Sequence, residues 1–133
     1  MICMSDPAAR VTLRVPRSAP LGSKVPIVVL IENESAAPVE LYLRGREIAY
    51  DIRVTRAGGD VVWRRLEGQV VPAILRLETI APGKPIELRD SWDQRNNAGE
   101  TDAPGEYAVS ATVLSDGHST LESVTLPLRI DRR

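Results

Sequence analysis

The sequence predicts an all-β chain folded as an antiparallel β-sandwich, on three observations. Apolar and polar residues alternate with a period of two in one segment after another, the spacing that sorts strand side chains onto two faces. Turn residues punctuate these segments roughly every 8 to 12 positions, which gives about nine short strands. No segment carries a helical period, which argues against an α/β arrangement.

The totals suit one domain. The 133 residues, 43% of them hydrophobic, can bury a core without disulfides or metals. Residues 1–9 show no periodicity and are expected to be disordered, and 10–131 form a single domain. Aromatic residues make up 4% of the chain and Phe is absent, so the interior must be built from Val, Ile, Leu and Ala around a few Trp and Tyr. Each aromatic is therefore expected to be structural. Lys and Arg number 17 against 18 Asp and Glu, a net charge of −1, which leaves no global field for nucleic acid or an anionic membrane.

The strands can be justified in order. Val11, Leu13 and Val15 alternate with Thr12, Arg14 and Pro16, and the proline marks an edge strand or its end. Ser18 to Ser23 is turn chemistry. Val25 to Ile31 is almost continuously apolar, the pattern of a central strand buried on both faces over part of its length. Asn33-Glu34-Ser35 ends that strand, and its match to a glycosylation acceptor is read as turn composition. Val39, Leu41 and Leu43 form the next strand, and Arg44-Gly45-Arg46 turns the chain.

The organising hairpin lies within Leu41 to Leu66. Ile48, Tyr50, Ile52 and Val54 alternate with Ala49, Asp51, Arg53 and Thr55, and Gly58-Gly59 supplies the positive φ angles of a tight turn into Val61-Val62-Trp63-Arg64. That register sets Val54 against Trp63 and Arg53 against Arg64. Asp51, on the diagonal, is expected to neutralise both arginines. Ala73 to Ile80 and Ile86 to Trp92 follow as strands on either side of Pro82-Gly83. Tyr107, Val109, Ala111 and Val113 line one face of a late strand. Val124, Leu126, Leu128 and Ile130 line the last, where Pro127 again indicates an edge.

Asp102-Ala103-Pro104-Gly105-Glu106-Tyr107 resembles the tyrosine corner of immunoglobulin-like domains. Val109 stands two positions on, where immunoglobulin domains carry the second cysteine. The expected fold is thus an immunoglobulin-like sandwich without the inter-sheet disulfide, compatible with a reducing compartment.

Gly45, Tyr50-Asp51, Gly59, Val62-Trp63-Arg64, Pro82-Gly83, Trp92, Gly99 and Pro104-Gly105-x-Tyr107 occur in that order. Together they resemble the BsuPI-type intracellular proteinase inhibitors, small immunoglobulin-like proteins of bacteria, over roughly Val25 to Leu114. Ile52 stands where an aromatic usually follows the Tyr-Asp pair, and Arg65-Leu66 replaces a second aromatic and a small polar residue. The resemblance implies inhibition of a cytoplasmic subtilisin-like serine protease, with a protein as partner and no catalytic site in the chain itself.

The residues add a place for such contact. The stretch Asp93 to Pro104 is the longest polar segment, and a loop of that length in a compact domain is functional or mobile. Asp93, Gln94, Arg95, Asn96, Asn97, Glu100 and Asp102 form the candidate contact loop, with Glu67 to Pro72 second. Ordinary solvated turn residues would give the same composition. Tyr50, Asp51, Trp63, Trp92, Gly105 and Tyr107 are assigned to the fold.

Other chemistries find little support. His118 is the only histidine and sits in a turn after Asp116-Gly117, and no serine has a nucleophile-elbow context. Asp90, Asp93, Asn97, Glu100 and Asp102 lack calcium-loop spacing. No cofactor or metal is expected. Cys3 reads as a free thiol. Attachment of a lipid there would need an apolar leader, and only Met1 and Ile2 precede it, so the chain reads as cytoplasmic, or exported if a leader lies upstream. No apolar run approaches the roughly 20 residues of a membrane span. The alternative to inhibition is a non-inhibitory binding or assembly module that pairs through its edge strands, since this fold hosts many functions.

Overall fold

The computed structural model describes residues 9–44, 48–72, 74–114 and 121–132. Cys3, Gly45, Arg46 and His118 lie outside them, so the expectations placed on those residues have no structural counterpart here. Among the described residues eleven strands follow in order: β1 (Ala9–Arg14), β2 (Ser18–Pro20), β3 (Val25–Asn33), β4 (Val39–Arg44), β5 (Tyr50–Arg56), β6 (Val61–Arg64), β7 (Leu75–Ile80), β8 (Ile86–Trp92), β9 (Gly105–Val113), β10 (Leu121–Glu122) and β11 (Leu126–Asp131). One sheet runs β1-β3-β8 and a second runs β2-β11-β9-β5-β6, with β10 added to β9. A separate ribbon pairs β4 with β7.

Alternation builds the core. Val25, Ile27, Val29 and Ile31 of β3, Ile52 and Val54 of β5, Val109 and Val113 of β9 and Leu128 of β11 are fully or almost fully buried in one cluster. Each contributes about 1.5–3 kcal/mol relative to an exposed side chain. Leu30 is also buried, so β3 has the two-faced burial its sequence suggests, and it is the central strand of its sheet. The single cysteine precludes an internal disulfide, and Val109 packs opposite Val54 in that part of the interior. Trp92 is wholly buried between Trp63, 6.5 Å away between ring centroids, and Tyr107, edge-on at 5.5 Å. The Tyr107 hydroxyl donates to the Ala103 carbonyl, which completes the tyrosine corner.

The hairpin register holds, by an unexpected route. Val54 faces Trp63 and Arg53 faces Arg64. Only Gly59 of the glycine pair has a positive φ, 97°, and Arg56 pairs with Asp60 around it. The turn is therefore longer by a residue than a two-residue hairpin loop, and a bulge between Val54 and Thr55 restores the register. Asp51 is buried and binds Arg64 through Nε at 3.1 Å and Nη2 at 2.9 Å. Its other oxygen accepts from the Leu66 amide at 2.9 Å, so it serves one arginine and a loop rather than both arginines.

Other expectations are corrected. Ser18 to Pro20, read as a turn, forms a short strand parallel to β11. β11 is thereby covered at Arg129 to Asp131, while Pro127 lies beyond the reach of β2, where no donor is required. Val124 precedes β11 and is 70% exposed, so it does not line the last strand. Tyr42 is 53% exposed on the ribbon, against the expectation that every aromatic is structural. Asn33 is buried with its amide fully used: Nδ2 donates to Ala37 and Ile80 carbonyls, and Oδ1 accepts from the Ser35 amide and hydroxyl. It is a clamp between the end of β3 and the end of β7.

Candidate functional site

The long polar segment after β8 is an ordered miniature hairpin. Arg95 bridges Thr101, the Asn96 amide donates to the Glu100 carbonyl at 2.8 Å, and the Asp102 amide donates to the Gln94 carbonyl at 3.0 Å. Gly99 closes the turn with a φ of 86°, a conformation that suits glycine. Inside it, Oδ1 of Asn96 accepts from the Ala98 and Glu100 amides, both at 2.9 Å.

Three side chains fix this hairpin to the sandwich. Gln94 is 1% exposed, although a glutamine in a polar loop would ordinarily face water. Its Nε2 donates to the carbonyls of Pro20 and Ser23, and its Oε1 accepts from the Gly22 amide at 3.0 Å. The backbone accommodates this inward turn with a φ of 64°, the only positive non-glycine value among the described residues. Asn97 reaches the outer edge of β6: Oδ1 accepts from the Arg64 amide at 2.8 Å and Nδ2 donates to the Arg64 carbonyl at 3.0 Å. It thus covers an otherwise free sheet edge. Asp102 is buried and paired with Arg56, whose guanidinium is held above its ordinary pKa chiefly by that carboxylate.

The candidate contact loop therefore divides. Gln94 and Asp102 point inward, Asn96 and Asn97 spend their amides on the loop itself and on β6, and Asp93, Arg95 and Glu100 remain exposed around a tip of Ala98 and Gly99. The second loop follows β6 as successive turns, with Glu67 bonded to Arg64 and Gln69 to Leu66, and it exposes Val70 at 92%. An open depression lined by Trp63, Arg65, Leu66, Gln69 and Asp90 lies at the start of that loop.

Arg65 is a residue whose role the sequence did not disclose. Its guanidinium lies 3.8 Å over the Tyr50 ring, Nη1 donates to the Tyr50 carbonyl at 2.7 Å, and Nε binds Asp90 at 2.5 Å. Tyr50 belongs to one sheet and Asp90 to the other, so Arg65 bolts the sheets together. Burial raises the Tyr50 phenol above its ordinary pKa, and the same cause, reinforced by the Asp102 charge, raises Tyr107. Among the described residues no three His, Cys, Asp or Glu converge as metal ligands. The acidic residues instead meet arginines or turn amides, as Asp90 meets Arg65 and Asp93 meets the Arg95 amide.

Comparison with known proteins adds the decisive observation. The family described as BsuPI, intracellular proteinase inhibitor, matches residues 12–118. The chain belongs to that family. BsuPI proteins are inhibitors rather than enzymes, and the family's description places them inside the cell. No curated protein matches the chain. Among solved structures, the CARDB domain of a Pyrococcus furiosus protein is 15% identical, covers 98% of this chain and 100% of its own, and has a TM-score of 0.50. The sporulation control protein Spo0M of Bacillus subtilis is 13% identical over 95% of this chain and 50% of its own, with a TM-score of 0.55. At these identities the likeness concerns the fold, an immunoglobulin-like sandwich. No helix among the described residues is long and apolar enough to cross a membrane.

Proposed function

We propose that this protein inhibits a cytoplasmic subtilisin-like serine protease by presenting the tip of the 93–102 hairpin, with Asp93, Arg95 and Glu100 as the contacting side chains. The observation that carries the reading is the clamping of this hairpin by Gln94 and Asn97. A loop held in its bound shape before encounter loses little conformational freedom on binding, which is what lets a small exposed segment bind tightly. The hairpin is closed by its own backbone bonds, so a protease cleft that accepts extended chain would be blocked by it rather than threaded by it.

The test titrates a bacterial intracellular subtilisin-type protease with the folded protein and follows hydrolysis of a chromogenic peptide. Stoichiometric loss of activity with the inhibitor left uncleaved is expected. The charge-reversed variant Arg95→Glu with Glu100→Lys should weaken inhibition by about 100-fold; it gives up the Arg95–Gly99 and Asn96–Glu100 bonds within the tip but leaves the backbone bonds of the hairpin and the clamps of Gln94 and Asn97 in place. Full protease activity beside excess folded protein, for several such proteases, would sink the reading. Undiminished inhibition by the charge-reversed variant would move the contact away from this hairpin.

A further inference from the structure

The first four residues of β7 invert the rule that the other strands obey, while Leu43 of β4 and Ile80 at the end of β7 keep to it and are buried. Leu75 and Leu77 of β7 are each 47% exposed and lie on the outer face with Tyr42, which is directly opposite Leu77. Arg76 and Glu78 occupy the inner face, half-buried and bound to one another at 2.8 Å. The ribbon has two strands, an arrangement marginal by itself in water, and no strand among the described residues pairs with the other edge of β7. β7, Leu75-Arg76-Leu77-Glu78-Thr79-Ile80, contains no proline, no lysine and no bulge, and its inward charges, Arg76 and Glu78, which would otherwise guard a free edge, neutralise one another. By contrast Arg10 and Arg14 stand on the exposed face of β1, and Asn97 covers β6.

We infer that β7 pairs antiparallel with β7 of a second copy of this chain about a two-fold axis at Leu77, joining two ribbons into one four-stranded sheet. Only an axis at that residue sets Arg76 and Glu78 opposite one another. A two-fold at Leu77 sets Leu77 against Leu77 of the other copy, Leu75 against Thr79, and Arg76 against Glu78 on both sides of the axis. Moving the axis to Arg76 or to Glu78 opposes like charges directly, which destabilises the pair. The outer faces then form one apolar stripe from Tyr42 and Leu77 of each copy. Inside, the two Arg76–Glu78 pairs become a four-charge cluster. Arg76 has donor capacity to spare there, because its Nε is buried without an acceptor among the described residues.

Sedimentation velocity of the full chain over a micromolar concentration series tests the inference. A monomer–dimer equilibrium is expected, and Leu77→Lys, which faces two ammonium groups across the axis, should raise the dissociation constant at least about 100-fold while the circular dichroism stays that of the parent. Exchange of the charges supplies the register. Arg76→Glu alone and Glu78→Arg alone should each weaken the dimer, and the double exchange should restore it. Should the single exchanges fail to fold, Leu77→Cys in a Cys3→Ser background reads the same register through a disulfide-linked dimer under oxidation, with Tyr42→Cys as the unlinked control. A wild-type protein that stays monomeric throughout overturns the inference. So does a dimer indifferent to Leu77→Lys. A monomer whose protease inhibition is lost on Leu77→Lys would instead give this face to the protease.

Discussion

Strands β9 and β7 share a period and differ in its outcome. In β9, Tyr107, Val109, Ala111 and Val113 turn inward and are buried. In β7, Leu75 and Leu77 turn outward while Arg76 and Glu78 face the body of the protein. Period two states only that a strand has two faces. Which face becomes core is decided by what lies opposite, and β9 is flanked by β5 and β11 whereas among the described residues β7 has β4 alone.

That contrast can be broken by substitution, most severely in the core. Trp92→Ala empties a fully buried site between Trp63 and Tyr107 and should cost about 3–5 kcal/mol, read as the shift of the urea midpoint. Gln94→Ala should cost about 2 kcal/mol, because the Gly22 amide and the Pro20 and Ser23 carbonyls lose a buried partner. Tyr107→Phe removes one hydrogen bond to Ala103 and keeps the ring, so about 1 kcal/mol is expected in the same assay. On the ribbon, Leu75→Ser should alter the stability of the monomer by no more than about 0.5 kcal/mol, and a loss as large as that of Trp92→Ala would show that β7 is packed in solution.

Alkaline pH sharpens the same division. Tyr50 and Tyr107 have phenols raised above the ordinary 10.0, mainly by burial, so the unfolded chain releases those protons before the folded one does. Their contribution to stability is complete below pH 10.0 and is lost as pH rises through the folded values. Phenolate absorbance should therefore lag behind that of free tyrosine, and unfolding should set in as it appears. Stability that is flat through this range would contradict the burial of both rings.

Much of the fold was legible because it is local. The β5–β6 register follows from alternation around a glycine turn, the tyrosine corner from six consecutive residues, and the central place of β3 from its unbroken apolar run. What escaped is held together over long distances. Gln94 is bound to residues more than seventy positions away, and nothing near it distinguishes an inward glutamine from a solvated one. Arg65 read as a departure from the family pattern, and its worth lies in Asp90 on the opposite sheet. β2 and β10 are three and two residues long, too short for a period to register. For the candidate site, sequence length found the loop, but only the fold separates its anchors from its free side chains.

Anchors and outward positions are interleaved along the 93–102 hairpin: Gln94, Asn96, Asn97 and Asp102 hold the frame, and Asp93, Arg95, Ala98 and Glu100 face outward. The two groups answer to different constraints. Of the outward four, Asp93 accepts from the Arg95 amide, Arg95 donates to the Gly99 carbonyl and Glu100 accepts from the Asn96 side chain, so Ala98 is the position that can be rewritten without disturbing the backbone that displays it, and the tip of this hairpin is where a diversified library would keep the scaffold unchanged.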